Sequence, residues 1–346
     1  RSIIRGFMRF PHEAKKSGNI VDGEQSIYLI RGKDIHTTAC IGISRFPEDG
    51  RDVDSLLKST ESAMSLAKSR GRNQYQFFNA DMQVSEAEYY LYESGLRTAL
   101  IRDEFFIHYQ PQIDTMTGHV VAMEALVRWM HPEQGVLQPG KFIHIAEETG
   151  LILPMGNWVL RSACQQLKSW HDAGLVNIQR IAVNLSTLQF HQPDLPALIE
   201  SALKEVGLEA RFLELEITES VAMINPKKTI ETLKTLKSMG VALAIDDFGT
   251  WHSSLNYLKL FPFDCLKIDR SFVQDIESDT HDAAICTATI ALANKLGLDV
   301  VAEGVETEGQ FAFLKNLNCC RIQGYFFSKP LSPEDAYSFA LTDNHR

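Results

Sequence analysis

The chain has 346 residues, of which 45% are hydrophobic and 23% charged, and its formal net charge is -10. No run approaches the ~18 apolar residues of a membrane span, and the acidic excess argues against binding to DNA or RNA duplexes, because phosphate contacts need a basic face. At roughly 100–200 residues per domain, this length predicts two domains, or one large barrel with a smaller unit.

The charge is uneven. Residues 1–83 carry 13 Lys and Arg against 10 Asp and Glu, and the remainder carries 21 against 34. The six cysteines include no C-x-x-C pair and mostly lie in apolar runs, which reads as reduced core thiols in a cytosolic protein rather than a disulfide frame. The first ten residues lack the apolar centre of a signal peptide. The chain starts without Met, so upstream sensory or membrane-tethering segments are expected in a longer protein.

In chain order, Ser26–Arg31 and Asp34–Phe46 are β-branched and aromatic and predict a hairpin across Gly32-Lys33. Apolar residues at helical spacing predict a helix over Val53–Lys68, and Gln74–Phe78 predicts a last short strand. Val84–Ile101 has helical spacing without proline and predicts a connecting helix. From Phe105 onward, eight short β-rich runs alternate with helical segments: 105–113, 120–129, 180–185, 212–218, 241–246, 264–268, 299–302 and 321–325. Gly240 and Gly297 stand where helix C-caps belong. This alternation over about 240 residues predicts an α/β fold, a TIM-type (β/α)8 barrel of parallel strands. An open doubly wound sheet is the alternative, but no G-x-G-x-x-G follows any strand. The predicted organisation is a small α/β domain over 1–83, a connecting helix over 84–101 and a barrel over 102–346.

In such a barrel, the chemistry sits at the C-terminal ends of the strands. Those ends carry Glu124, Asn184, Glu216 with Glu219, Asp246 with Asp247, Lys267 with Asp269, Glu303 with Glu306, and Gln323. One strand-end carboxylate is usually a helix N-cap. Carboxylates at the ends of so many consecutive strands must converge, and their repulsion is relieved by hard divalent cations on oxygen ligands. Two metals held by an aspartate pair suit phosphodiester hydrolysis, with a lysine to stabilise developing charge.

The strings that carry these residues are Glu124-Ala125-Leu126, Tyr109-Gln110-Pro111, AEETGL from Ala146, VNLS from Val183, ELEITES from Glu214, DDFG from Asp246, LKIDRSF from Leu266, AEGVET from Ala302 and QGYFFSKPL from Gln323. In order and together, they resemble the EAL family of cyclic di-GMP phosphodiesterases. The strings around Ala39–Gly50 and Gly71–Phe78 similarly resemble the C-terminal half of a GGDEF domain, without its signature loop.

The EAL resemblance implies Glu124, Asn184, Glu216 and Asp246 as metal ligands and Asp247 as holder of a second metal. It implies Lys267 as the catalytic lysine and Glu303 as the general base or water organiser. It implies Gln110, Leu126, Arg128 and Gln323 as substrate or site contacts, and Glu219 and Glu306 as loop support. It further implies two Mg2+ or Mn2+ ions, cyclic di-GMP as substrate, linear pGpG as product, a homodimer through the EAL domain and a bacterial cytoplasmic location; Ca2+ is expected to inhibit, because its looser, longer coordination misplaces the water. The family usually reads DFGTGYSSL after the aspartate pair, whereas this chain has Trp251 and His252 in place of Gly and Tyr, which bears on turnover and regulation. The alternative reading is a receptor that binds cyclic di-GMP without hydrolysing it.

Overall fold

A computed structural model describes residues 27–30, 33–36, 40–47, 49–69, 75–78, 86–249 and 258–342. It divides into two compact units, 1–92 and 93–346. In the first, β1 (Ile27–Ile30) and β2 (Lys33–His36) form an antiparallel pair. The predicted Asp34–Phe46 strand is broken. Its second half, β3 (Ile41–Ile43), pairs in parallel with β4 (Tyr75–Phe77), and the intervening helix α1 (Val53–Ser69) makes the crossover that parallel pairing requires. The α1 helix is tied to the strand side by the Ser44 and Thr60 hydroxyls, 2.7 Å apart. The boundary between the units falls within helix α2 (Glu86–Ala99).

The second unit is a closed ring of eight strands, in the order β5 (Phe105–Asp114), β13 (Arg321–Ile322), β12 (Asp299–Ala302), β11 (Cys265–Ile268), β10 (Ala242–Phe248), β9 (Leu213–Thr218), β8 (Arg180–Asn184) and β6 (Val120–His131), with β6 returning to β5. A short strand, β7 (Gly135–Leu137), extends β6 on the outside. Crossover helices include α4 (Ile152–Asp172), α5 (Leu195–Val206), α6 (Pro226–Ser238), α7 (Thr280–Leu296) and α8 (Glu308–Asn316). None of the described helices is long and apolar enough to cross a membrane.

One expectation is corrected. The barrel is not wholly parallel, because β5 runs antiparallel to both of its neighbours. Only residues 115–119 separate β5 from β6. A link that short makes a hairpin, not the crossover of a dozen or more residues that a parallel pair needs. Two shorter elements, α3 (Ile143–Glu148) and α9 (Pro333–Leu341), were not anticipated from periodicity, and the last strand is two residues long rather than five.

Strand alternation sets the layers. In β9, Leu213, Leu215 and Ile217 alternate with Glu214 and Glu216, and all five are buried. The leucines and isoleucine pack under the helices while the glutamates enter the barrel. Ala244, Cys265 and Val301 form a small apolar layer, and two polar layers flank it. At the N-terminal ends of the parallel strands, Glu214 accepts from Arg321 Nη1 and Nη2 at 3.3 and 3.2 Å and from Arg180 Nη1 at 2.8 Å, and Arg321 Nη1 also donates to Gln112 Oε1 at 2.8 Å. The other polar layer, at the C-terminal ends, is the candidate site.

Candidate active site

Lys267 is fully buried near the end of β11 and points into the mouth rather than snorkelling out. Its Nζ lies 2.6 Å from Glu303 Oε1, 2.7 Å from Glu216 Oε2, 3.5 Å from Asp246 Oδ1 and 3.7 Å from Glu124 Oε2. These four carboxylates come from β6, β9, β10 and the end of β12. Parallel register brings them level: Asn184 pairs with Glu216, and Ala244, two residues before Asp246, pairs with Glu216 from the other side.

Glu124 is held at both oxygens. Asn184 Nδ2 donates to Oε1 at 2.7 Å and Gln323 Nε2 to Oε2 at 2.6 Å. Burial pushes its pKa up, but Lys267 and these amides outweigh that and hold it below the ordinary value. Glu216 differs. Neither of its oxygens makes a well-aligned hydrogen bond, although Oε2 lies 2.7 Å from Lys267 Nζ. Burial and the neighbouring Glu124 raise its pKa well above the usual carboxylate range. Burial likewise raises Asp246, and it lifts Glu303 to about 8. Burial lowers the proton affinity of Lys267, but the carboxylates around it dominate and keep it charged.

At the end of β10, pairing with β11 slips between Ile245 and Phe248, so Asp246 and Asp247 occupy a bulge. Asp247 has φ 54°, a left-handed conformation that aspartate tolerates better than most residues. Bulges beside sites re-aim side chains, and here two consecutive aspartates are presented at one strand end. Asp247 is lifted to about 7 by burial and by the charges of Asp246 and Asp269. The loop that follows is gripped by buried Glu219, whose Oε2 accepts from Gly249 N at 3.2 Å. Trp251 and His252 lie outside the described residues.

The remaining expected residues fall in different places. Leu126 and Arg128 follow Glu124 along the same face of β6. Arg128 is buried, donates Nη1 to Val127 O at 2.8 Å and keeps an unpartnered Nε. Gln110 is buried opposite Glu124 and hydrogen-bonds Gln323. Glu306 is not brought to the cluster. Its side chain is exposed, and only its backbone N–H is engaged, with Gln310 Oε1 at 2.7 Å. Sequence reasoning missed Glu147, which accepts from the Thr187 backbone beside the β8 end and is pushed up by burial. It also missed the segment that backs Glu303: Val305 N donates to Gln323 O at 3.1 Å, and Phe326 N donates to Val305 O at 2.9 Å. A Cβ on Gly324 would lie 2.1 Å from Val305 O, so only glycine permits that approach.

Among the described residues, no three His, Cys, Asp or Glu side chains are set around a common point as a metal ion requires; the Lys267 ammonium lies among the carboxylates. The donor set nevertheless fits hard divalent cations. Four carboxylates ring one ammonium, Asp247 stands beside them, and burial pushes Glu216, Asp246, Asp247 and Glu303 toward protonation. A cation removes that penalty. Glu124, Glu216, Asp246 and Asp247 would hold it, joined by Asn184 once its amide oxygen faces the ion.

Comparison with known proteins agrees with this geometry. The EAL domain family matches residues 93–330, more than half of the chain. The chain belongs to the EAL family. The chain is 46% identical over 300 residues to the cyclic di-GMP phosphodiesterase NbdA of Pseudomonas aeruginosa, covering 87% of this chain and 38% of that protein. It is 43% identical over 307 residues to the bifunctional diguanylate cyclase/cyclic di-GMP phosphodiesterase MucR of the same organism, covering 89% and 45%. The chain therefore spans less than half the length of these relatives. Among solved structures, the PaMucR phosphodiesterase in complex with c-di-GMP superposes with a TM-score of 0.69 at 45% identity, over 71% of this chain and 99% of that one. The EAL match begins at residue 93, so the GGDEF-like reading of the first unit rests on its sequence strings alone.

Proposed function

We propose that this EAL domain hydrolyses one phosphodiester bond of cyclic di-GMP to give linear pGpG. The observation that carries the reading is the buried Lys267 ammonium ringed by Glu124, Glu216, Asp246 and Glu303 at the barrel mouth. Similarity to relatives named for this activity supports it, as does the c-di-GMP complex of a 45% identical domain.

EAL phosphodiesterases depend on divalent metal; we assign Mg2+ or Mn2+ here, two ions on Glu124, Asn184, Glu216, Asp246 and Asp247. When bound, such ions lower the pKa of water and shield the phosphate charge. The chain supplies the rest. Glu303, whose Oε1 lies 2.6 Å from Lys267 Nζ at the end of β12, is placed at the mouth to act as the base. It takes a proton from the attacking water as the new O–P bond forms. The bond from phosphorus to the ribose 3′ oxygen breaks, and that oxygen leaves as the 3′ hydroxyl of pGpG by taking a proton from solvent, to which Glu303 in turn releases the proton it accepted. Lys267 stays cationic and stabilises charge on the phosphoryl oxygens. Arg128, on the same face of β6 as Glu124, would offer its guanidinium to the phosphate on turning from Val127 O.

From the family resemblance we also place the domain in a homodimer in the bacterial cytoplasm, and residues 1–83 and 84–101 as a GGDEF-like unit and its linker. The deciding experiment is incubation with cyclic di-GMP and Mg2+ or Mn2+, followed by chromatography. The enzyme reading requires pGpG to appear and to vanish in Glu124→Ala. Tight metal-dependent binding without product selects the receptor instead.

A further inference from the structure

We propose that Gln110 is a positioning residue for the Glu124 carboxylate, acting through Gln323, rather than a contact for the substrate. The inference rests on the reading of Glu124 as a metal ligand. Gln110 lies on β5 directly opposite Glu124 on β6 and is only 8% exposed. Both ends of its amide are already engaged. Nε2 donates to the Ser328 main-chain carbonyl at 3.2 Å, and Oε1 accepts from Gln323 Nε2 at 3.0 Å. The same Gln323 nitrogen donates to Glu124 Oε2 at 2.6 Å.

This arrangement has one sense. A backbone carbonyl only accepts, so Ser328 O fixes the nitrogen end of Gln110 toward itself and the oxygen end toward Gln323. That oxygen in turn demands the nitrogen end of Gln323. Turning the Gln323 amide over would set its oxygen against both Gln110 Oε1 and the Glu124 carboxylate, two repulsive contacts in a buried site. With Gln323 locked, Oε2 of Glu124 is held from one side while Asn184 holds Oε1 from the other. The anchor is itself fixed, because Leu331 and Tyr109 exchange both backbone hydrogen bonds at 2.8 Å and clamp the 324–331 segment onto β5.

Partners that orient a ligand typically change metal affinity by 10–100-fold when removed. The test titrates Mn2+ into the metal-stripped protein, following the free-ion signal by electron paramagnetic resonance, and separately measures cyclic di-GMP binding in EDTA. Gln110→Met is expected to weaken Mn2+ about tenfold with dinucleotide affinity little changed. Added to Gln323→Met, it should cost nothing further, since the two act in series. Gln110→Leu, a differently shaped deletion with the same expected ratio, covers a failure of Gln110→Met to fold. Unchanged Mn2+ affinity with weakened dinucleotide binding, or additive losses in the double variant, would overturn the inference. A wild-type protein that binds no Mn2+ would instead overturn the metal reading of Glu124, and the inference with it.

Discussion

Glu214 is fully buried inside the barrel and carries three charged hydrogen bonds, two from Arg321 and one from Arg180. Consider Glu214→Leu. Arg180, with 29% of its side chain exposed, can turn to water, but Arg321, with 7%, cannot. Arg321 is left as a buried cation whose remaining hydrogen bond is to the neutral Gln112, with Asp299 acting only through its charge. Breaking one side of such a pair costs about 3–5 kcal/mol, which at an m-value of ~3 kcal/mol/M lowers the urea midpoint by about 1–2 M. Arg321→Met is milder, about 1.5–3 kcal/mol, because Glu214 keeps Arg180. The double variant Glu214→Leu/Arg321→Met removes both charges, replaces them with apolar volume, and should recover most of the loss. pH supplies a second check. Burial raises the Glu214 pKa, but Arg321 and Arg180 outweigh it and hold the folded value below 4.5. The stabilisation is therefore present above the unfolded value and fades as pH falls through the folded one, so the gap between wild type and Glu214→Leu narrows in acid. Urea melts of the four proteins at neutral pH and in acid decide the matter. A loss under 1 kcal/mol for Glu214→Leu, or a double variant no better than the worse single, refutes the reasoning.

Other expectations concern the mouth. Lys267→Met should lower kcat by about 10²–10³, read by product chromatography at saturating substrate, with the fold checked by circular dichroism. Replacing Mg2+ with Ca2+ should depress turnover at least tenfold, since the longer and looser coordination of Ca2+ misplaces the water; equal rates in both ions would contradict the proposed site. The raised acids Glu303, at about 8, and Asp247, at about 7, bind protons in the folded chain that the unfolded chain has lost. Metal-free stability should therefore fall as pH rises from about 4.5 through 8, and differential scanning calorimetry should show that fall removed by saturating Mn2+. Gly324→Ala places a Cβ 2.1 Å from Val305 O, so it should displace the segment behind Glu303 and cut kcat far more than it raises KM.

The sequence makes Glu216 easy to find because it stands near a strand end, where barrel chemistry is expected. Glu214 was as readable by the same two-residue period, for alternation puts both on one face of Leu213–Thr218. It escaped because attention went to strand ends, and its partner Arg321 is 107 residues away. Distance in sequence also hid the working partners of Gln110, which are Gln323 and Ser328. The reversed first strand was legible in principle, since residues 115–119 are too few for a crossover. Glu306, expected as loop support, has an exposed side chain, and its backbone N–H is bonded to Gln310 Oε1.

The reversal of that strand also decides where the barrel is addressed from. In an all-parallel barrel, the polypeptide arrives at the floor, far from the reacting groups. Here Phe105 lies opposite Trp129, beyond Glu124 on the catalytic rim, and the Trp129 indole is bonded to Glu104 and abutted by Gly95 of the incoming helix. The incoming chain and the carboxylate cluster thus share one end of the cylinder.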